Sequence, residues 1–143
     1  MGKINFKARH QARRVALQAL FQWHFAGGDA ANITTQYLNN TTDDKLDKKY
    51  FKELVEQVIT HCQALDQKLL HHTERAMADH NPVELAILRM GAYEIIHRPD
   101  VPSRVVLNET IELAKQYGAQ DSYKYINGVL DKLAHRLRVD VDE

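Results

Sequence analysis

A single cysteine, Cys62, leaves the 143-residue chain without any intrachain disulfide, which suits a reducing compartment and predicts the cytoplasm. No apolar run approaches the roughly 20 residues of a membrane span. The N-terminus is basic but has neither an unbroken apolar stretch nor a cleavage site, so no secretory signal is expected. Three prolines and six glycines punctuate the chain rather than fill it, and no low-complexity segment or repeat is visible. The motifs of familiar chemistry are missing as well. There is no CxxC, no HExxH, no Gly-x-Ser-x-Gly, no phosphate-binding glycine loop and no dinucleotide fingerprint. Eight histidines occur, with Cys62, His71, His72 and His80 in one stretch, but no two lie at helical i, i+4 spacing. Neither an enzyme, nor a metal site, nor a cofactor is therefore expected. Cys62 sits on an apolar helical stripe, where a cysteine acts as a small buried hydrophobe.

What is present is an ordinary globular composition, 44% hydrophobic and 27% charged, in a chain long enough for one domain with its own core. The net charge is zero, but unevenly spread. Residues 1–28 hold Lys3, Lys7, Arg9, Arg13 and Arg14 and no acid, so +5 at the start faces −5 in the rest. A basic arm on an acidic body is a common layout for a protein that meets a polyanion, and also what a solvated helix start looks like.

Strand alternation is absent and helical spacing recurs, so the chain reads as all-α. A first helix is expected over about 8–25, with Ala12, Val15, Ala16, Ala19, Leu20 and Trp23 on one face and Leu17 and Phe21 beside them. Gly27-Gly28 stop it, and Asp29 caps a short second helix. A long helical region runs from about 47 to 78; both an unbroken helix and two helices divided near Ala64 or Leu65 stay open. Asn81-Pro82-Val83-Glu84 is a strong start signal, with Asn81 as cap and Glu84 as its return partner, for a helix to about His97. Ser103 caps the next helix, which Gly118 ends after Tyr117. Asp121 or Ser122 caps the last one, to about Leu137. Gly128 inside that helix costs about 1 kcal/mol against alanine, and close helix packing is the expected reason.

On the last helix Asp121, Tyr125, Lys132 and Arg136 share one flank of the core stripe, with Lys124 further out and Tyr117 across the turn. Aromatic faces beside cations suit single-stranded RNA; the same tyrosines also suit the edge of a core with their hydroxyls in water.

Three blocks carry a family resemblance: ARHQARRVALQALFQW over 8–23, PVELAILRMGAYEIIHRPDVP over 82–102, and VVLNETIELAKQYGAQDSYKYINGVLDK over 105–132. In their order and spacing they resemble the bacterial transcription antitermination factors of the NusB type, over nearly the whole chain. The resemblance implies a compact bundle of about seven helices in two helical halves, about 1–78 and 79–138, with an acidic tail at 139–143. It implies a single RNA-binding domain that joins the small ribosomal protein NusE, binds the boxA element of nascent ribosomal RNA, and supports RNA polymerase together with other Nus factors. It also implies that the chain can form a homodimer that hides the arginine-rich surface. By the same resemblance the RNA contacts are Arg9, His10, Gln11 and Arg13, and Tyr117, Asp121 and Tyr125 near the last two helices; Lys3 and Lys7 upstream and the exposed Lys124 add charge beside them. His10 and Gln11 stand where the family often has arginine. Glu84 matches an acid used toward NusE and, at a helix start, is expected to stay partly exposed. Two other readings stay open at this point: a protein-binding helical adaptor, and the RNA-binding module of an RNA methyltransferase system.

Overall fold

Asn5 sets the first helix. Its side-chain oxygen accepts from the Ala8 N–H at 3.0 Å, so α1 spans Phe6–Ala26 and begins two residues earlier than the apolar stripe suggests. Gly27 and Gly28 end it in the left-handed region, at φ 66° and 105°, where a side chain would be strained. The computed structural model describes residues 5–41 and 45–138, and within them the chain is helical with no strand. The remaining helices are α2 (Ala30–Asn40), α3 (Lys48–Thr60), α4 (Cys62–Leu70), α5 (Pro82–His97), α6 (Ser103–Tyr117) and α7 (Ser122–Leu137), with a short 3-10 turn at Met77–Asp79. Seven α-helices among the described residues agree with the expected all-α class.

The helices form two units, one ending at Thr60 and the other beginning at His61. Helix α4 belongs to the second unit, where it packs on α5 and α7. The long region expected over 47–78 breaks at His61, whose backbone leaves helical values (φ −100°, ψ 16°), rather than at Ala64 or Leu65.

In the first unit α3 packs against both α1 and α2. Tyr50, Phe51, Leu54, Val55 and Val58 form its buried stripe, at the i, i+3, i+4 spacing of one helix face. On α1, Ala12, Ala16, Leu17, Ala19 and Leu20 are buried, whereas Phe21 is exposed. Asp29 precedes α2 without a side-chain capping bond, contrary to expectation.

In the second unit α5 is the central helix, packed against α4, α6 and α7 and buried almost all round from Leu85 to Ile95. Asn81 caps it as expected, accepting from the Glu84 N–H at 2.8 Å. Gly91 lets α7 and α6 approach: a Cβ there would stand 2.5 Å from Leu130 Cδ1 and 3.2 Å from Thr110 Cγ2. The close packing expected at Gly128 is absent, since a Cβ there would meet nothing within 4 Å among the described residues. Arg89 and Asp66 pair through two hydrogen bonds of 2.8 Å and fasten α4 to α5. Pro102, not Ser103, holds the cap position of α6. Asp121 holds the cap position of α7 as expected, in a left-handed conformation (φ 66°) and without a side-chain capping bond.

Candidate nucleic-acid interface

The basic start of α1 divides into an inner and an outer set. Arg9 lies over the Tyr50 ring, 4.4 Å from its centroid, with its Nε 4.0 Å from Asp47 Oδ2. Arg13 approaches the same ring at 5.4 Å and is 4% exposed. Asp47 accepts from the Tyr50 N–H through its side chain and donates its own N–H to the Ala8 carbonyl, which locks the starts of α1 and α3 together. The burial of Arg13 follows from position 13 falling beside Ala12 on the buried side of the helix.

Lys7 is exposed, and His10 and Gln11 are half-buried. Together with Phe6 and Lys45 these three line a cleft. Gln11 accepts from Arg14 Nε at 2.9 Å. Lys3 lies outside the described residues.

In the second unit the tyrosines fare differently. Tyr117, at the end of α6, is 36% exposed. Tyr125 is half-buried and held on two sides: the Arg75 guanidinium lies 4.4 Å from its ring centroid, and its hydroxyl is 2.7 Å from His80 Nε2. His80 Nδ1 faces the carbonyls of Ala76 and Met77 at 3.1 and 3.3 Å, so this nitrogen donates, which orients the ring and directs Nε2 at the Tyr125 hydroxyl. Arg75 also reaches Glu84, with Nη2 3.4 Å from Oε1. Glu84 is only 5% exposed, and Oε1 makes no hydrogen bond among the described residues. The expected partly exposed carboxylate is thus buried behind Arg75. Asp121 and Lys124 pair at 3.7 Å on the surface.

The flank expected to gather Tyr125 with Lys132 and Arg136 is shared with His72. Burial, with the charges of Arg136, His71 and Lys132, holds the His72 imidazole below its usual range. Sequence reasoning missed Arg75, His80 and Tyr50, each joined to its partner across tens of residues. It also missed Tyr123, which Lys115 covers at 4.7 Å. An isolated histidine or tyrosine at those positions carries no local signal.

Among the described residues the arrangement offers exposed cations and aromatic rings. Residues 10–135 match the model of the NusB family. The transcription antitermination protein NusB of Alcanivorax borkumensis is 50% identical over 131 residues, 92% of this chain and 87% of that protein. The NusB of Nitrosomonas eutropha is 44% identical over 138 residues, 96% of this chain and 83% of that protein. In structure, T. maritima NusB superposes with a TM-score of 0.80 at 26% identity, covering 97% of this chain and 96% of its own. A chain from a crystal structure of the antitermination factors NusB and NusE with double-stranded RNA reaches 0.77 at 25% identity, over 92% and 99% of the two chains. No helix among the described residues is long and apolar enough to cross a membrane. With family match, sequence identity and fold agreeing over nearly the full length, the chain belongs to the NusB family.

Proposed function

We propose that the chain is a transcription antitermination factor that binds boxA-type single-stranded RNA of nascent ribosomal transcripts together with NusE, and so supports processive RNA polymerase. The observation that carries this reading is the 50% identity to an antitermination protein over 92% of the chain. Similarity to a chain solved with NusE and RNA supports both partners. The role is non-enzymatic and cytoplasmic, and the chain works as one RNA-binding domain.

Lys7, His10 and Gln11 are the solvent-facing contacts of the first unit, with Lys3 adding charge. Arg9 and Arg13 act mainly by fixing Tyr50 and the helix start from which those contacts project. In the second unit Tyr117 supplies an open ring, Lys124 a cation, and Asp121 an acceptor for a base amino group. Tyr125 contributes the ring face that Arg75 does not cover. Glu84 acts toward NusE through the placement of Arg75, and a homodimer that covers the basic start is the resting state.

Fluorescence anisotropy with boxA RNA, a scrambled strand and a duplex, with and without NusE, tests the reading. Selective single-strand binding that NusE tightens is expected, with a log–log salt slope of about −0.7 per neutralised phosphate. Lys7→Ala should flatten that slope. Glu84→Gln, which keeps the shape and removes the charge beside Arg75, should weaken the NusE effect more than it changes binding by the isolated chain. Binding to NusE with no RNA binding in any condition would identify an adaptor instead.

A further inference from the structure

Arg75 is shared between two groups of the second unit. Its Nη2 lies 3.4 Å from Glu84 Oε1, within reach of an ion pair. That oxygen is shut off from solvent and still makes no hydrogen bond among the described residues. The same guanidinium covers one face of the Tyr125 ring, 4.4 Å from its centroid. A buried carboxylate oxygen without a donor is costly, so a guanidinium aligned squarely on Glu84 would serve it better. Turning that way takes the cation off the ring. The other members of the group are fixed. Glu84 is buried at the start of α5, where its N–H donates to the Asn81 cap. The Tyr125 hydroxyl lies 2.7 Å from Nε2 of the buried His80, whose Nδ1 is held by the carbonyls of Ala76 and Met77. The Arg75 side chain keeps 39% of its exposure and leaves the irregular stretch between α4 and the 3-10 turn. It is the movable part of the group.

We propose that Arg75 is a positioning residue that couples the Glu84 face to the Tyr125 ring: a partner's cation that takes Glu84 displaces the guanidinium, and the ring face it covered opens to an unstacked base. The assignment rests on the NusE and RNA reading above and supplies the regulation of its second-unit contacts. Glu84 lies behind Arg75, so a cation from outside reaches the carboxylate only after the guanidinium has left. A base reaches the covered face of Tyr125 under the same condition. Both ligands select from the same set of Arg75 positions, so each removes part of the conformational cost of the other. Coupling of this kind is positive and reciprocal: NusE tightens RNA, and RNA tightens NusE, by the same factor.

A spectrum of the unmodified chain and a short variant series test this. In the isotope-labelled full chain the NMR signal of the Arg75 Nε–H, identified by its loss in Arg75→Lys, carries the ring-current shift of Tyr125. Adding NusE without RNA should move it to the position of a solvated arginine; a signal that stays in place overturns the proposal. Anisotropy titrations with a fluorescent single-stranded boxA RNA, with and without saturating NusE, then compare the unmodified chain with Arg75→Gln and Arg75→Lys. The factor by which NusE tightens RNA binding should shrink about 5-fold or more in Arg75→Gln. The isolated Arg75→Gln chain should bind RNA at least as tightly as the unmodified one, because its ring is already open. Lysine keeps the charge without the flat fork, so Arg75→Lys should retain part of the factor. An unchanged factor in Arg75→Gln overturns the coupling and leaves the functional reading standing. So does weaker binding by the isolated Arg75→Gln chain with a log–log salt slope flattened by about 0.7, the mark of a plain phosphate contact. An unmodified chain whose RNA binding NusE does not tighten overturns both. Circular dichroism checks the fold of the variants; where Arg75→Gln does not fold, the Arg75 signal of the unmodified chain decides.

Discussion

Arg138 shows how much one side chain can hold. It holds the cap position after the last turn of α7. Its guanidinium donates to the carbonyls of Glu94, Ile95, Arg98 and Val101 and to the Ser103 hydroxyl, at 2.6 to 3.1 Å. Three of those carbonyls belong to the last turn of α5 and its cap, where Glu94 also accepts from the Arg98 N–H and Arg98 from the Val101 N–H, so the guanidinium adds second bonds to two of them. The same cation sits at the negative end of the α5 dipole. Arginine alone has the five N–H groups in a fixed fork that this cluster needs; lysine has three around a point. Hydrogen bonds to a charged group contribute about 1.5–3 kcal/mol each where they are not replaced by water. Arg138→Ala should therefore lower unfolding stability by about 2–4 kcal/mol, and Arg138→Lys should recover less than half of it, measured by urea denaturation. A change of less than about 0.5 kcal/mol would show that water replaces the guanidinium without loss.

At the scale of the element, the two helical glycines make opposite predictions. Gly91 stands where α5 meets α7 and α6, and an added methyl would collide with Leu130. Gly91→Ala should destabilise by about 1–3 kcal/mol through overpacking. Gly128 faces open space, so Gly128→Ala should raise stability by about 0.5–1 kcal/mol, the ordinary gain of alanine over glycine inside a helix. Thermal melts of the two variants would read both signs at once. The contrast also marks what a sequence can carry. Helices α5, α6 and α7 are legible nearly to the residue, because Asn81-Pro82 and Gly118 are local signals that act on the next few backbone groups. The break at His61 is not, since neither proline nor glycine marks it. Nor is the packing role of Gly91, which depends on a leucine 39 positions away. The candidate site divides in the same way. The basic start of α1 is visible as a run of charge, whereas the capture of Arg9 and Arg13 by Tyr50, and of Tyr125 by His80, depends on long-range folding.

For the whole molecule, the balance of 19 basic and 19 acidic residues means that RNA is drawn by local charge and not by net charge at neutral pH. Acid changes that balance and sets binding against stability. Burial lowers the proton affinity of His97, as does the nearby His61, whose ring stacks on it at 5.1 Å. His72 is held low by burial and by Arg136, His71 and Lys132. Both groups are favoured as neutral in the folded chain, while the unfolded chain takes up their protons near pH 6.5. Stability from these two histidines is therefore fully present above about pH 6.5 and is lost as the pH falls below it. Urea midpoints should fall between about pH 7.5 and about pH 5.5, and a His72→Gln, His97→Gln double variant should show a shallower fall. Over the same interval protonated histidines turn the net charge positive, so RNA affinity at fixed salt should rise while the protein is still folded. A midpoint that rises with acid, or one that falls equally in the double variant, would place the pH dependence in other groups.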